Sequence, residues 1–146
     1  GAADWVQEAA EAFERERLYL VRLTAAVGPQ PSTSGAAETE SALAAQRHAL
    51  ETLANSERRG CALGAVTALA EDWRSIRRLL DRAAARAGLD VPPCTLPDEE
   101  SVARAIHDGA DTTGAERALA FGSEQLLLQH RALFDLLEVR AEARID

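Results

Sequence analysis

The stretch that decides the fold is ALGAVTALAEDWRSIRRLLDRAAARA, residues 62–87. Its apolar positions are Ala62, Val66, Leu69, Trp73, Ile76, Leu80, Ala83 and Ala87. They alternate in steps of four and three, the seam of a helix that packs lengthwise against other helices. Charged residues flank the seam: Glu71, Asp72, Arg74, Arg77, Arg78, Asp81, Arg82 and Arg86. One straight helix over Ala62–Ala87 is about 39 Å long at 1.5 Å per residue.

Outward from this seam the chain reads as more helices. Upstream, Asp4–Val27 carries the stripe Val6, Ala9, Phe13, Glu16, Leu20, Leu23 and Val27, with Trp5 and Tyr19 beside it. Asp4 with Gln7 suggests a capping box, and Gly28-Pro29 a stop. The following PQPSTSG, residues 29–35, is a loop by composition and the favoured internal site for nicking. A second helix starts near Ala36 and reaches about Arg59, with Leu43, Gln46, Leu50 and Leu53 on one face. Its seam and the next are out of phase by two residues, roughly 200° round a helix. The preferred reading is a turn at Asn55–Cys61, with Gly60 as the helix stop. The alternative is one continuous helix over 36–87 in an elongated dimer.

Downstream, Gly88 ends the central helix, and Pro92, Pro93 and Pro97 enforce an extended segment. A short helix is expected over Asp98–Asp108, its acidic start placed at the positive end of the helix dipole. Thr113 with Glu116 suggests the cap of a last helix that runs to about Arg144. That helix carries Leu119, Ser123, Leu126, His130, Leu133, Leu137 and Ala141 in a stripe, with Leu127 and Phe134 alongside. The expected fold is all-α: a single domain over 1–146, an elongated antiparallel four-helix bundle with an extra short helix before the last.

Composition narrows the function. Hydrophobic residues make up 47% and aromatics only 4%, so Ala and Leu must fill the core. All 16 basic residues are Arg, and there is no Met. A Met-free chain that opens on Gly reads as a segment of something longer. The net charge of −8 disfavours nucleic acid, because phosphate binding needs a basic footprint. No run approaches the roughly 18 apolar residues of a membrane-spanning helix. Cys61 sits at the start of the central helix and Cys94 seven residues past its end. They read as two free thiols, which slightly favours a reducing intracellular compartment.

No catalytic or cofactor motif stands out. A di-metal carboxylate bundle of the ferritin-like kind needs Glu-x-x-His pairs. The residues three before His48, His107 and His130 are Ala45, Arg104 and Leu127, so that ligand set is missing. Two polar residues interrupt apolar stripes and are the ones to watch. Glu16 calls for an Arg from a neighbouring helix, since a buried carboxylate is costly unless paired. His130 reads as a core or interface histidine with one hydrogen bond. His48 falls on a polar face and reads as solvated.

Arg74, Arg77, Arg78, Arg82 and Arg86, with Arg58 and Arg59 upstream, form an Arg ladder that reads as a solvated helix face. The Trp in Leu69-x-x-x-Trp73-x-x-Ile76 resembles the core tryptophans of spectrin-like helical repeats. The Lys-free, Ala- and Arg-rich style also resembles the helical stretches of the large tegument protein of high-GC herpesviruses. That second resemblance implies a scaffold between capsid and envelope layers, with no catalysis.

The function these readings favour is a non-enzymatic scaffold or protein-interaction module that self-associates, a dimer in its simplest form. Its expected contact residues are Trp73, Ile76 and Leu80 with Arg74, Arg77 and Arg78, and Leu126, Leu133 and Leu137 on the last helix. No cofactor is called for. The alternative is a bacterial helical-bundle sensor that binds a small ligand between the first and last helices, near Glu16 and His130.

Overall fold

The computed structural model describes residues 2–29, 33–58 and 60–145. Five helices follow one another: α1 Ala2–Val27, α2 Ala36–Ala54, α3 Cys61–Arg86, α4 Glu99–Gly109 and α5 Thr113–Ile145. The all-α class and the short helix before the last are as the sequence predicts. Part of the 29–35 loop (Gln30, Pro31, Ser32) and Arg59 of the Arg ladder lie outside the described residues.

The helix ends follow local chemistry, with three corrections. α1 stops at Gly28, whose φ of +86° admits the left-handed turn that a side chain resists. It starts at Ala2, so Asp4 lies inside the first turn and meets the helix dipole rather than capping it. α2 stops at Ala54 rather than near Arg59. The Asn55 backbone N–H and side-chain Nδ2 both donate to the Glu51 carbonyl, at 3.0 and 2.9 Å, and close the last turn. α5 is capped by Thr112, not Thr113: the Thr112 hydroxyl accepts from Ala115 N–H at 3.0 Å. Asp98 caps α4 in the same way, accepting from Ser101 N–H at 2.8 Å.

The chain breaks between α2 and α3, so the continuous 36–87 helix does not form. Gly60 makes the break at φ +97°. No side chain caps α3; instead the Gly60 carbonyl accepts from Gly64 N–H at 2.9 Å. At the other end Leu89 N–H returns to the Ala84 carbonyl at 2.9 Å around left-handed Gly88, a Schellman stop.

Neighbouring contacts give the helix directions. Gly60 lies against Ala115, Gly64 against Leu119, and Asp72 against His130, so α3 and α5 run side by side in the same direction. α1 runs with α3: Val6 packs near Leu63, Glu16 meets Arg77, and Leu23 meets Ala84. α2 and α4 run back between them. Leu53 packs with Cys61 and Ala65 while Ser34, ahead of α2, receives Arg140; Glu99 lies by Arg74 and Gly109 by Leu63. Helices consecutive in sequence are thus antiparallel, and α3 is central, touching all four others.

The most extensive contact, α3 against α5, is made by the smallest residues. A Cβ built on Gly64 would lie 1.9 Å from the Leu119 carbonyl oxygen, and one on Gly122 1.9 Å from the Cys61 carbonyl oxygen. The two backbones touch. Cys61, Ala65 and Ala68 of α3 interlock there with Ala118 and Leu126 of α5. The deepest face of α3 is therefore offset from the expected seam. Val66, Leu69, Trp73, Ile76 and Leu80 are half-buried at its edges, while Leu63, Gly64, Ala65, Thr67, Ala68 and Ala70 are buried. Thr67 is satisfied locally, donating to the Gly64 carbonyl at 3.0 Å.

Candidate functional site

Beyond Asp72 the buried residues of α3 are Arg77 and Ala84, and both face α1. Arg77, expected on an exposed ladder, is the centre of a buried polar cluster. Its Nη1 donates to both Glu16 oxygens at 2.9 Å, and its Nε to Asp81 Oδ1 at 2.8 Å. Its Nη2 donates to the Pro92 carbonyl. The guanidinium stacks over the Tyr19 ring, 4.7 Å from its centroid. Trp73 Nε1 donates to Glu16 Oε1 at 2.8 Å, and Tyr19 Oη to Asp81 Oδ1 at 2.9 Å. Phe13 meets Trp73 edge-on at 6.1 Å.

The sequence supplies each part of this cluster for a local reason. Glu16 and Tyr19 are one turn apart on α1, and so are Trp73, Arg77 and Asp81 on α3. The Schellman stop turns the chain back, and the prolines hold it extended, so that Pro92 presents its carbonyl to Arg77 and Pro97 its carbonyl to Arg74, at 3.0 Å.

Burial works against the Arg77 charge, but Asp81 and Glu16 outweigh it, and its pKa is raised above the ordinary arginine value. Burial, then the hydrogen bond to Asp81, pushes the Tyr19 hydroxyl up as well. Every guanidinium nitrogen has an acceptor within the chain. The cluster is a clamp that binds α1, α3 and the 89–97 segment together.

The Glu16–Arg pairing is as the sequence predicts, with Glu16 buried rather than at a boundary. The Arg ladder is not a single face. Arg74 and Arg77 turn to the proline segment, Arg78, Arg82 and Arg86 are exposed, and Arg58 sits 5.3 Å over Phe121. Both cysteines are free. Cys61 is buried, and the exposed Cys94 brings its thiol to 4.0 Å from Glu16.

His130 lies elsewhere. It is buried between α3 and α5, with Nδ1 donating to Asp72. Among the described residues the backbones of α1 and α5 stay apart, and Glu16 and His130 are held by different residues of α3, Arg77 and Asp72. Among the described residues Glu16 and His130 border different pockets rather than the shared one expected. His130 borders a half-open pocket of about 200 Å³ between α2, α3 and α5. His48 and His107 are exposed. Among the described residues no three His, Cys, Asp or Glu side chains are grouped to hold a metal ion, and no helix is long and apolar enough to cross a membrane.

The expected interface residues divide. Trp73 packs on α1, Leu80 adjoins Tyr19, Leu23 and Ala84, and Leu126 is buried in the core, so these serve the chain's own fold. Ile76 and Leu133 are half-buried. Leu137 is 53% exposed, and it has company. Leu127 (42%) and Phe134 (36%) share its face of α5, and Leu43 of α2 is 37% exposed.

The spacing Leu127, His130, Phe134, Leu137 is a heptad seam. At His130 this seam touches α3. Past His130 no described α5 side chain is buried, and the helix continues beside α2, where Arg140 donates to the Ser34 carbonyl. Other exposed apolar residues lie on α1 and α3: Leu18 and Val21 beside Pro92 and Pro93, and Leu79 beside Val27.

Asp72 and Asp81 are the site residues that sequence reasoning left on the flanks. The one signal for Asp81 was its position four residues after Arg77; for Asp72 there was none. Residues 1–145 match the sequence pattern of DUF6975, a family of unknown function, and the chain belongs to that family. No curated protein and no solved structure matches it.

Proposed function

We propose that this member of DUF6975 is a non-enzymatic helical interaction module that self-associates through an arm formed by α2 and the second half of α5. The observation that carries the reading is the empty continuation of α3's seat. α3 fills the groove beside α5 up to the Asp72–His130 contact, then leaves with α1. Beyond that contact Leu43 of α2 and Phe134 and Leu137 of α5 are exposed, and no described α5 side chain is buried. Two helices cannot enclose an apolar seam, whereas two copies of a two-helix arm make a four-helix bundle. Proteins of this size rarely leave a contiguous apolar face open unless a partner covers it.

Sedimentation equilibrium tests the reading. At tens of micromolar the wild-type chain is expected at twice its 15.6 kDa mass. The double substitution Phe134→Glu and Leu137→Glu is expected to give the single-chain mass with unchanged helix content. Leu79→Glu, at the other exposed apolar end, is expected to leave the dimer intact. A wild-type chain that stays monomeric at that concentration overturns the reading. A dimer lost with Leu79→Glu instead moves the interface to the α1–α3 end and overturns the arm.

A further inference from the structure

Three arginines of α3 do nothing for the fold. Arg78, Arg82 and Arg86 stand four residues apart, in a row along one exposed side of the helix. Among the described residues none of them meets a carboxylate, although the chain carries a net charge of −8. Arg78 reaches the Ser75 hydroxyl at 3.3 Å and keeps its charge unpaired. Arg74 and Arg77 of the same helix each have an acidic partner. Like charges four apart on a helix repel, so the row weakens α3 rather than supporting it. Arg86 alone, in the last turn, gains from the negative end of the helix dipole.

The row borders an apolar floor. Arg82 and Arg86 edge an open trough of about 450 Å³ whose floor is Ala26 and Val27 of α1 with Leu79 and Ala83 of α3. Val27 is 67% and Leu79 51% exposed, so this floor is uncovered. Leu79 and Ala83 are one turn apart, and so are Arg82 and Arg86. The surface therefore carries two parallel lines, one apolar and one cationic, each stepping about 6 Å. The complement of that pattern is a helix with an apolar line and, beside it, carboxylates at the same four-residue step. A guanidinium can take each carboxylate through two parallel hydrogen bonds.

We propose that this trough docks an acidic amphipathic helix of another protein. Its apolar line sits on Val27, Leu79 and Ala83, and Arg82 and Arg86 hold two of its carboxylates. Nucleic acid fits less well, because no aromatic side chain lines the trough to stack a base. An anionic bilayer offers no charges at a fixed step, and it repels a chain of net charge −8. The inference is independent of self-association, which uses the α2–α5 arm.

Fluorescence anisotropy of a labelled peptide tests it. The probe is a helix of about three heptads, with Leu on its apolar line and Glu at every fourth position beside that line. The wild-type chain is expected to bind it saturably, and more weakly as salt is raised from about 50 mM to about 500 mM. Arg82→Gln with Arg86→Gln is expected to weaken binding about five-fold or more, as is a peptide with Gln in place of each Glu. Leu79→Glu is expected to weaken it about ten-fold or more, by removing apolar contact and adding a like charge. Arg17→Gln, at an arginine already paired with Glu14, is expected to change nothing, which separates the trough from net charge. The Phe134→Glu, Leu137→Glu chain is expected to bind as wild type does, which separates the trough from the dimer. Absence of saturable peptide binding to the wild-type chain overturns the proposal. So does a loss with Arg17→Gln equal to that of the double arginine variant. Tighter binding to phosphatidylserine vesicles or to single-stranded DNA than to the peptide, lost in that same variant, assigns the row to another partner and overturns it as well.

Discussion

The two halves of α5 contrast sharply. The first half, Thr113 to His130, buries Ala115, Ala118, Leu119, Gly122 and Leu126, mostly small residues. The second half carries Leu133, Phe134, Leu136, Leu137 and Val139, larger and more apolar, and buries none of them. Side-chain size therefore does not decide burial here. The first half is buried because Gly64 and Gly122 let two backbones touch, and α2 and α4 close the sides. Beside the second half lies α2, while the buried residues of the far half of α3, Arg77 and Ala84, face α1. The Arg77 cluster fixes that far half of α3 to α1.

Arg77→Ala strikes at that cluster and has the largest expected effect. It leaves the Glu16 carboxylate buried without its cation and frees Asp81. Breaking a buried pair in this way costs about 3–5 kcal/mol, read as a lower urea midpoint. A loss below about 1 kcal/mol would show that the clamp is not what holds α3 to α1.

Gly122→Ala attacks the other side of the contrast. Its methyl group meets a backbone oxygen that no rotamer change can move, so a loss of about 1–3 kcal/mol is expected, toward the upper end. Gly114, also in α5, has open space around it, and Gly114→Ala should stabilise by about 0.5–1 kcal/mol. Equal effects at the two glycines would argue against a backbone contact.

The smallest effect concerns pH. Tyr19 holds its proton more tightly in the folded chain than in the unfolded one, chiefly through burial and then through Asp81. The stability this contributes is complete below the unfolded value near pH 10 and is lost as pH rises through the raised folded value. The urea midpoint should therefore fall above about pH 10, and Tyr19→Phe should make that fall shallower. An identical fall in both chains would contradict the assignment.

The legible parts of the sequence were those with local causes. Gly28, Gly88 and Asp98 mark helix ends because backbone conformation and capping depend on the residue itself. Glu16 announced an arginine partner because an unpaired carboxylate in an apolar stripe is untenable. What escaped the sequence depends on a neighbour. Gly64 and Gly122 carry no apolar side chain, so a seam traced through Val66, Leu69 and Trp73 ran along the edge of the true contact. Arg77 looked like its exposed neighbours Arg78 and Arg82. Only the proline segment folding back over it, and Glu16 opposite, make it the centre of a cluster. Leu137 read as a contact residue, while Leu127 and Phe134 stood only alongside the last helix's stripe; that all three lie exposed together depends on where the other helices pack.

The central claim is that this open seam is the unfilled part of a seat that a second copy completes. Hydrogen exchange along α5, followed as the protein concentration is raised, tests it most directly. The amides of residues 131–144 should exchange progressively more slowly as the dimer forms, while those of residues 118–130, already covered by α3, should not change. Exchange in residues 131–144 that is fast and independent of concentration would contradict the account.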